Sequence, residues 1–301
     1  MNTKQIEYIL TLARECSFSK AAEVLNISQP SLSQFIKKIE NEIGFELFNR
    51  TGGELRLTDA GKIFVDAGRK ILDIEHQMDN SLSDLALNKT GSLIIGVSPY
   101  RAVSMMPIIA ASFQKLYPGM HLIVREGTTA DLKEGMDNSE YDFAITLRPF
   151  NETIFNYEKV MEEELILAAP SNYSQIHPIV LSDHKYPVVD TKELDNLGFV
   201  MLTEAQFMQE QLKNLSIENN LDIKPAVVVK SLEAQIEMVK AGVGVALVPS
   251  GIKRFCNDSE VSFFTFEKPL PKREIVIMWR KDRPLSSIAE KLKNLICSID
   301  W

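Results

Sequence analysis

The stretch Phe18-Ser19-Lys20-Ala21-Ala22-Glu23-Val24-Leu25-Asn26-Ile27-Ser28-Gln29-Pro30-Ser31-Leu32-Ser33 decides how the N-terminal part of the chain folds. Ser19 is a natural N-cap for a short helix over Lys20 to Leu25, because its hydroxyl can accept from an otherwise unpaired amide of the first turn. Ala21, Ala22 and Leu25 leave little bulk on that helix, so a following helix can approach closely. Asn26-Ile27-Ser28 turns the chain, and Ser28 caps a second helix whose Pro30 falls in the first turn, where proline loses no intrahelical hydrogen bond. Leu32, Ile36, Ile39 and Ile43 recur at helical spacing and bury one face. Gln29, Ser31, Ser33, Gln34 and Lys37 point elsewhere and make a small, polar outer face. Two helices joined by a short turn, the second with an outward polar face, is how a helix-turn-helix presents side chains to the major groove of double-stranded DNA.

Upstream, Ile6, Ile9, Leu10 and Ala13 have the spacing of one buried helix face. Downstream, Gly44 ends the third helix, and Thr51-Gly52-Gly53-Glu54-Leu55-Arg56-Leu57-Thr58 reads as a glycine turn running into an alternating strand, a wing. Ser33 and Gln34 are placed to hydrogen-bond base edges, and Lys37, Lys38, Arg50 and Arg56 to reach phosphates or the flanking minor groove. The plain alternative is a helical hairpin with a solvated face. From Thr58, a natural N-cap, a long helix carries Phe64, Ala67, Ile71, Ile74, Met78, Ser81 and Leu85 at alternating steps of three and four. On an otherwise polar helix that pattern predicts a coiled-coil seam joining two subunits. Thr90-Gly91, ahead of the apolar run Leu93 to Val97, marks the main boundary.

Beyond it, strand-like runs alternate with helix-like ones: Leu93 to Val97, Ala102 to Tyr117, His121 to Glu126, Asp131 to Asn138 and Phe143 to Leu147. The alternation resumes with Leu165 to Ala169, Gly198 to Leu202, Ala205 to Asn219, Ala226 to Lys230, Ser231 to Ala241 and Val245 to Val248. It predicts mostly parallel sheets covered by helices, two rather than one for a segment of this length. Ser98 and Thr128-Thr129 each sit where a strand passes into a helix, so their hydroxyls and nearby amides can receive an anion, although N-capping asks for the same residues. Arg148 and Thr203 follow strand ends, where ligands collect in open α/β sheets. Tyr100 and Arg101 adjoin the Ser98 turn.

The 301 residues, 45% hydrophobic and 25% charged, describe a soluble globular protein of more than one domain. Its net charge is -8, and residues 1–90 hold 11 basic and 13 acidic side chains, so DNA contact must come from a few cations gathered on one face. Acidic and polar residues interrupt every apolar run of the N-terminus, which predicts a cytoplasmic protein with no signal peptide or membrane span. Cys16, Cys256 and Cys297 include no CxxC spacing, and His76, His121, His177 and His184 show no HxH or HExxH spacing. These residues offer no disulfide framework or zinc site, and no nucleophile-base pair stands out. Gly242-Val243-Gly244 lacks the GxGxxG spacing of a dinucleotide loop and reads as a tight helix-to-strand turn. Neither a cofactor, a metal nor an enzymatic activity is expected.

The run Phe18 to Ser33, continued by Ile36, Ile39-Glu40, Ile43-Gly44, Leu47-Phe48, Arg50 and Leu57-Thr58-Asp59-Ala60-Gly61, resembles the signature of LysR-type transcription regulators. The likeness extends to Tyr141-Asp142-Phe143-Ala144-Ile145 and to Ala241-Gly242-Val243-Gly244-Val245. The chain departs from it at Gln34-Phe35, where family members commonly carry Arg or Lys followed by Gln. The resemblance implies an α+β and α/β multidomain protein: a winged helix-turn-helix over 1–58, a dimerising linker helix over 59–89, and a two-lobed effector domain over 91–301 like the periplasmic binding proteins. Lobe I is then expected at 91–160 and 266–301, with lobe II at 161–265. It further implies a homodimer or homotetramer on an interrupted inverted repeat, contact with RNA polymerase, and a small anionic or polar effector in a cleft lined by Ser98, Tyr100, Arg101, Thr128, Thr129, Arg148 and Thr203. The competing reading is a solute-binding module or α/β enzyme carrying an unrelated helical N-terminus.

Overall fold

The computed structural model describes residues 2–49, 55–85, 91–148, 150–203 and 207–301. The N-terminal unit is built from α1 (Thr3–Glu15), α2 (Phe18–Val24), α3 (Gln29–Ile43), β1 (Phe48–Asn49), β2 (Arg56–Leu57) and α4 (Asp59–Leu85). Ser17, not the predicted Ser19, caps α2: its backbone is still extended and its hydroxyl accepts from the Lys20 amide, whereas Ser19 already lies inside the helix. Ser28 caps α3 as expected, and Gly44 ends it with φ +81°, a conformation that favours glycine. Ala21 and Ala22 are buried with Ile9, Leu12, Leu32, Ile36 and Ile39, the close approach their size predicted. Glu40, buried among them, accepts from the amides of Leu47 (2.9 Å) and Phe48 (3.2 Å) and so fixes the start of the wing. Strands β1 and β2 pair antiparallel, and the wing tip, including Arg50, lies outside the described residues.

Thr58 caps α4, accepting from the Gly61 amide at 3.0 Å while its hydroxyl donates to the Glu46 carbonyl at 2.6 Å. A Cβ on Gly61 would stand 2.1 Å from the Leu47 carbonyl oxygen, a backbone atom with no freedom to yield. Gly61→Ala is therefore expected to lower stability by about 1–3 kcal/mol through overpacking. Thermal melting of full-length protein checks this, and an unchanged midpoint would show that the wing-helix contact is loose.

The C-terminal half continues with β3 (Gly91–Val97), α5 (Pro99–Ser104), α6 (Met106–Leu116), β4 (Met120–Glu126), α7 (Thr129–Asp137), β5 (Phe143–Leu147) and β6 (Phe155–Glu163). Then come β7 (Leu165–Pro170), β8 (Val188–Val189), β9 (Gly198–Leu202), α8 (Phe207–Asn219), β10 (Lys224–Val229), α9 (Leu232–Lys240), β11 (Ala246–Pro249), β12 (Val261–Phe266), β13 (Arg273–Arg280) and α10 (Ser287–Ser298). Lobe I holds a five-stranded sheet in the order β4-β3-β5-β13-β6. Ile275 and Ile277 of β13 pack with Ile109, Phe113, Ile288 and Leu292 on one face, and Val276 and Met278 with Leu132 and Met136 on the other. Lobe II holds β11-β7-β12-β8 and the pair β10-β9, which an isolated Phe199–Val245 bridge joins to the same core.

The sheets are mixed rather than mostly parallel. Strand β3 runs parallel to β4 and β5, but β13 lies antiparallel to β5 and β6, and β7 antiparallel to β11 and β12. Strand β6 has a polar, Glu- and Lys-bearing sequence that gives no apolar run to read, yet it forms the edge of the lobe I sheet beside β13. The lobe boundaries expected at 160/161 and 265/266 shift accordingly. Met161 and Glu163 pair with Ile275 and Arg273 in lobe I, while Thr265 and Phe266 pair with Val188 and Val189 in lobe II. The chain therefore enters lobe II after Glu163 and leaves it before Arg273. Tyr100, on α5 of lobe I, is buried in the core of lobe II.

Candidate functional site

Helix α3 is held by its buried stripe against α1 and α2, which leaves Gln29, Ser31, Gln34, Lys37 and Lys38 exposed and Ser33 half-buried on the remaining surface. Ser31 shares a 2.7 Å hydroxyl contact with Ser28 in the cap. Lys38 has Glu42 at 3.9 Å, an exposed pair that constrains neither side chain. Arg56 is exposed on β2, opposite Asn49. Phe35, where the chain departs from the LysR pattern, turns inward and packs on Tyr8 with ring centroids 4.7 Å apart and planes tilted by 49°. Its neighbour Gln34 is thereby kept on the outer face.

The exposed apolar residues of α4 overlap the expected seam without coinciding with it. Phe64 is partly buried against the winged core, whereas Ile63 is 72% exposed. Ile63, Ala67, Ile71, Ile74, Met78 and Leu82 form the solvent-facing apolar stripe. Ser81 and Leu85 have side chains outside the described set.

Between the lobes lies a cavity of about 220 Å³. Ser98, Tyr100, Arg101, Thr128, Thr129 and Thr203, six of the residues expected at an effector cleft, line it. Arg148 does not: its Nε donates to Glu152 at 2.9 Å and its Nη1 to Glu274 at 3.0 Å, and the guanidinium lies over the Tyr157 ring. The hydrogen bonds it donates to Glu274 and Glu152 raise its pKa. The strand end is where the sequence placed it, but the side chain is consumed by carboxylates on its own side of the sheet.

Thr128 lines the cavity, yet its amide and hydroxyl both donate to Asp131 at 2.8 Å while its oxygen accepts from the Asp131 amide. The capping reading of Thr128 is thus realised, and the chain's own carboxylate occupies this helix start. Ser98 accepts from the Arg101 amide at 3.4 Å and from Arg101 Nη1 at 3.1 Å, which leaves its hydroxyl proton to donate.

Sequence reasoning missed Phe207, Met208, Lys230, Glu233 and Arg273 in the lining. Lys230-Ser231 repeats the strand-to-helix turn seen at Ser98, a signal that was available. Oε1 of Glu233 has no hydrogen-bond partner among the described residues. Nothing in a linear reading marks Arg273, which follows Lys272 and looks like a surface cation. Arg273 is in fact 4% exposed and donates to Glu163 through Nε (2.7 Å) and Nη2 (2.6 Å). Arg101, 5% exposed, stands 3.5 Å from the same Glu163 oxygen. Burial, then the nearby charge of Arg273, pushes the Arg101 guanidinium down to about 10, partly offset by Glu163. Burial, with Glu163 adding, raises the Tyr100 phenol.

Cys256 and Cys297 are not poised for chemistry. Burial pushes Cys297 up to about 11 and also raises Cys256, away from the thiolate form. Among the described residues no cluster of His, Cys, Asp or Glu is able to hold a metal, and no helix is long and apolar enough to cross a membrane.

Residues 3–62 match the family described as bacterial regulatory helix-turn-helix protein, lysR family, and residues 88–297 match the LysR substrate binding domain. The chain is 29% identical over 292 residues to the HTH-type transcriptional regulator YwbI of Bacillus subtilis, covering 96% of this chain and 93% of that one. A full-length OxyR of Pseudomonas aeruginosa superposes with a TM-score of 0.69 at 25% identity, covering 100% of this chain and 96% of that chain. Full-length CbnR complexed with its target DNA superposes at 0.65 with 18% identity, covering 98% and 100%. With both halves of the architecture matched over almost the whole length, this chain belongs to the LysR family of transcription regulators.

Proposed function

We propose that the protein regulates transcription as a homodimer or homotetramer bound to an interrupted inverted repeat of double-stranded DNA, under control of a small anionic or polar metabolite held between the lobes. The observation that carries this is the exposed polar face of α3 together with the apolar stripe of α4, since a paired linker places two such faces on symmetric half-sites. Ser33 and Gln34 read bases. Lys37, Lys38, Arg56 and, by the family pattern, Arg50 engage phosphates. Ser98, Tyr100, Arg101, Thr128, Thr129 and Thr203 enclose the effector. The protein acts in the cytoplasm and contacts RNA polymerase at the promoter.

Selection of random duplexes by the full-length protein tests the first half: an interrupted inverted repeat should be enriched, and its absence would overturn the reading. On the selected site, Lys37→Ala should weaken specific and random DNA alike and reduce the salt slope by about one. Gln34→Ala should act on the selected site alone, costing about 1–3 kcal/mol. An unchanged specificity ratio in Gln34→Ala assigns the base readout to other residues.

A further inference from the structure

The linker helix α4 is fastened to lobe I at a point well away from where the chain crosses between them. Arg69 donates from Nη1 to Oδ1 of Asn138, the residue that ends α7, at 2.6 Å. The acceptor is held from the other side. Arg280 donates to the Asp137 carbonyl at 2.8 Å, and the buried Arg283 donates to the carbonyls of Ser139 (3.1 Å) and Tyr141 (3.3 Å). Asp142 closes the turn by accepting from the Ile94 amide at 2.8 Å. Helix α7 has no room to rock on the sheet, because a Cβ on Gly135 would stand 2.4 Å from the Tyr141 ring. On the donor side, Arg69 follows Gly68, where α4 crosses α1 so closely that a Cβ would meet Ile6 at 2.8 Å. At about 100° per residue, Arg69 falls roughly opposite the apolar stripe of Ile63, Ala67, Ile71 and Ile74. The bond therefore ties the α1–α4 crossing to lobe I on the face that pairing along the stripe leaves free.

We propose that the Arg69–Asn138 hydrogen bond is a latch that fixes the winged unit against lobe I and so sets the spacing at which the protein holds two half-sites. The spacing rests on the reading of the protein as a dimer on an inverted repeat, whereas the latch itself does not. Helix α4 runs for 27 residues, about 40 Å, before the chain reaches β3, and Arg69 lies in its first half. A brace at that point shortens the lever on which the winged unit would otherwise swing. Because α7 is fastened to lobe I, a turn of that lobe about the linker must stretch this bond. Both partners are half-buried, and a hydrogen bond with a charged donor at such a site moves an equilibrium by about tenfold. A bias of that size holds one arrangement yet yields to a competing contact of ordinary strength.

Three substitutions in the full-length protein test the latch. Arg69→Met removes the donor with little change of length, Asn138→Ala removes the acceptor, and Asn138→Asp makes the acceptor a carboxylate, the stronger partner for a guanidinium. Small-angle X-ray scattering without DNA should give a larger radius of gyration for Arg69→Met and for Asn138→Ala, with no further increase when the two are combined. On DNA, the site selected from random duplexes is rebuilt with its half-sites moved together or apart by a few base pairs. Wild type should bind the selected spacing best. The two unlatched variants should narrow the affinity gap between selected and altered spacings by about tenfold, and Asn138→Asp should widen it. A contact that merely adds stability would lower the melting midpoint and leave scattering and spacing preference unchanged, and that result overturns the proposal. So does an effect of Arg69→Met that Asn138→Ala fails to reproduce, or effects that add in the double variant. If no inverted repeat is selected, the dimer reading falls and the spacing with it, while the scattering still decides the latch.

Discussion

Replacing Glu163 by glutamine is expected to lower the stability of the regulatory half by about 3–5 kcal/mol, a fall in melting midpoint on the order of 6–20 °C. The amide fills the same space, so packing is not the cause. What changes is charge: Glu163 is 3% exposed, and without it the Arg101 and Arg273 guanidiniums face each other in a dry setting with no carboxylate between them. Removing one member of a buried ionic group costs far more than the group contributes as a whole, because the survivors stay desolvated. Asp66→Asn is the control. Its partner Lys70 is at 2.8 Å, but both lie in solvent on α4, and the midpoint should stay where it is. A Glu163→Gln midpoint within a degree of wild type would show that water reaches the guanidiniums.

The second large effect is expected from Ile71→Asp combined with Ile74→Asp. Both residues sit on the outer stripe of α4, Ile74 at 65% exposure, and neither belongs to the core that holds the winged unit together. Each monomer should therefore fold normally. Across a paired linker, however, two aspartates per chain bring four like charges into one apolar seam. Sedimentation should show dissociation to monomers. Affinity for the selected inverted repeat should fall by about 10²–10⁴, the advantage that tethering confers on a second half-site. A dimer that persists, or unchanged operator affinity, would refute the seam.

What the sequence made legible follows from how local the controlling physics is. Ser28, Pro30, Leu32, Ile36, Ile39 and Gly44 define α3 through caps and spacing within one helix, and they stand as read. Strict alternation of three and four starts the expected seam at Phe64, whereas the exposed stripe begins at Ile63, four residues before Ala67. Only the packing of α1 against α4, where a Cβ on Gly68 would meet Ile6 at 2.8 Å, decides which of them turns inward. The cavity was legible at its strand-to-helix turns, Ser98 and Thr128, which carry a backbone signature. It was illegible at Arg273, whose role depends on Glu163, 110 residues away and brought alongside only by sheet pairing. Arg148 shows the converse: a correct strand end says nothing about carboxylates at Glu152 and Glu274 that claim the side chain first.

The passage between the lobes has a mechanical consequence. Glu163 and Arg273 are ladder partners, so the outgoing and returning chains run side by side, about 4.8 Å apart, at the doorway to lobe II. A body hung from two strands that close together has few ways to move. Sliding it sideways would shear the ladder and break backbone hydrogen bonds, whereas bending or twisting both strands together leaves every bond of the sheet in place. The lobes therefore have rotations available and almost no translations, and the axis passes beside the carboxylate shared by the two arginines. Chemistry at the cavity floor acts at the pivot itself, where a small displacement is converted with the greatest angular gain into the separation of the outer rims.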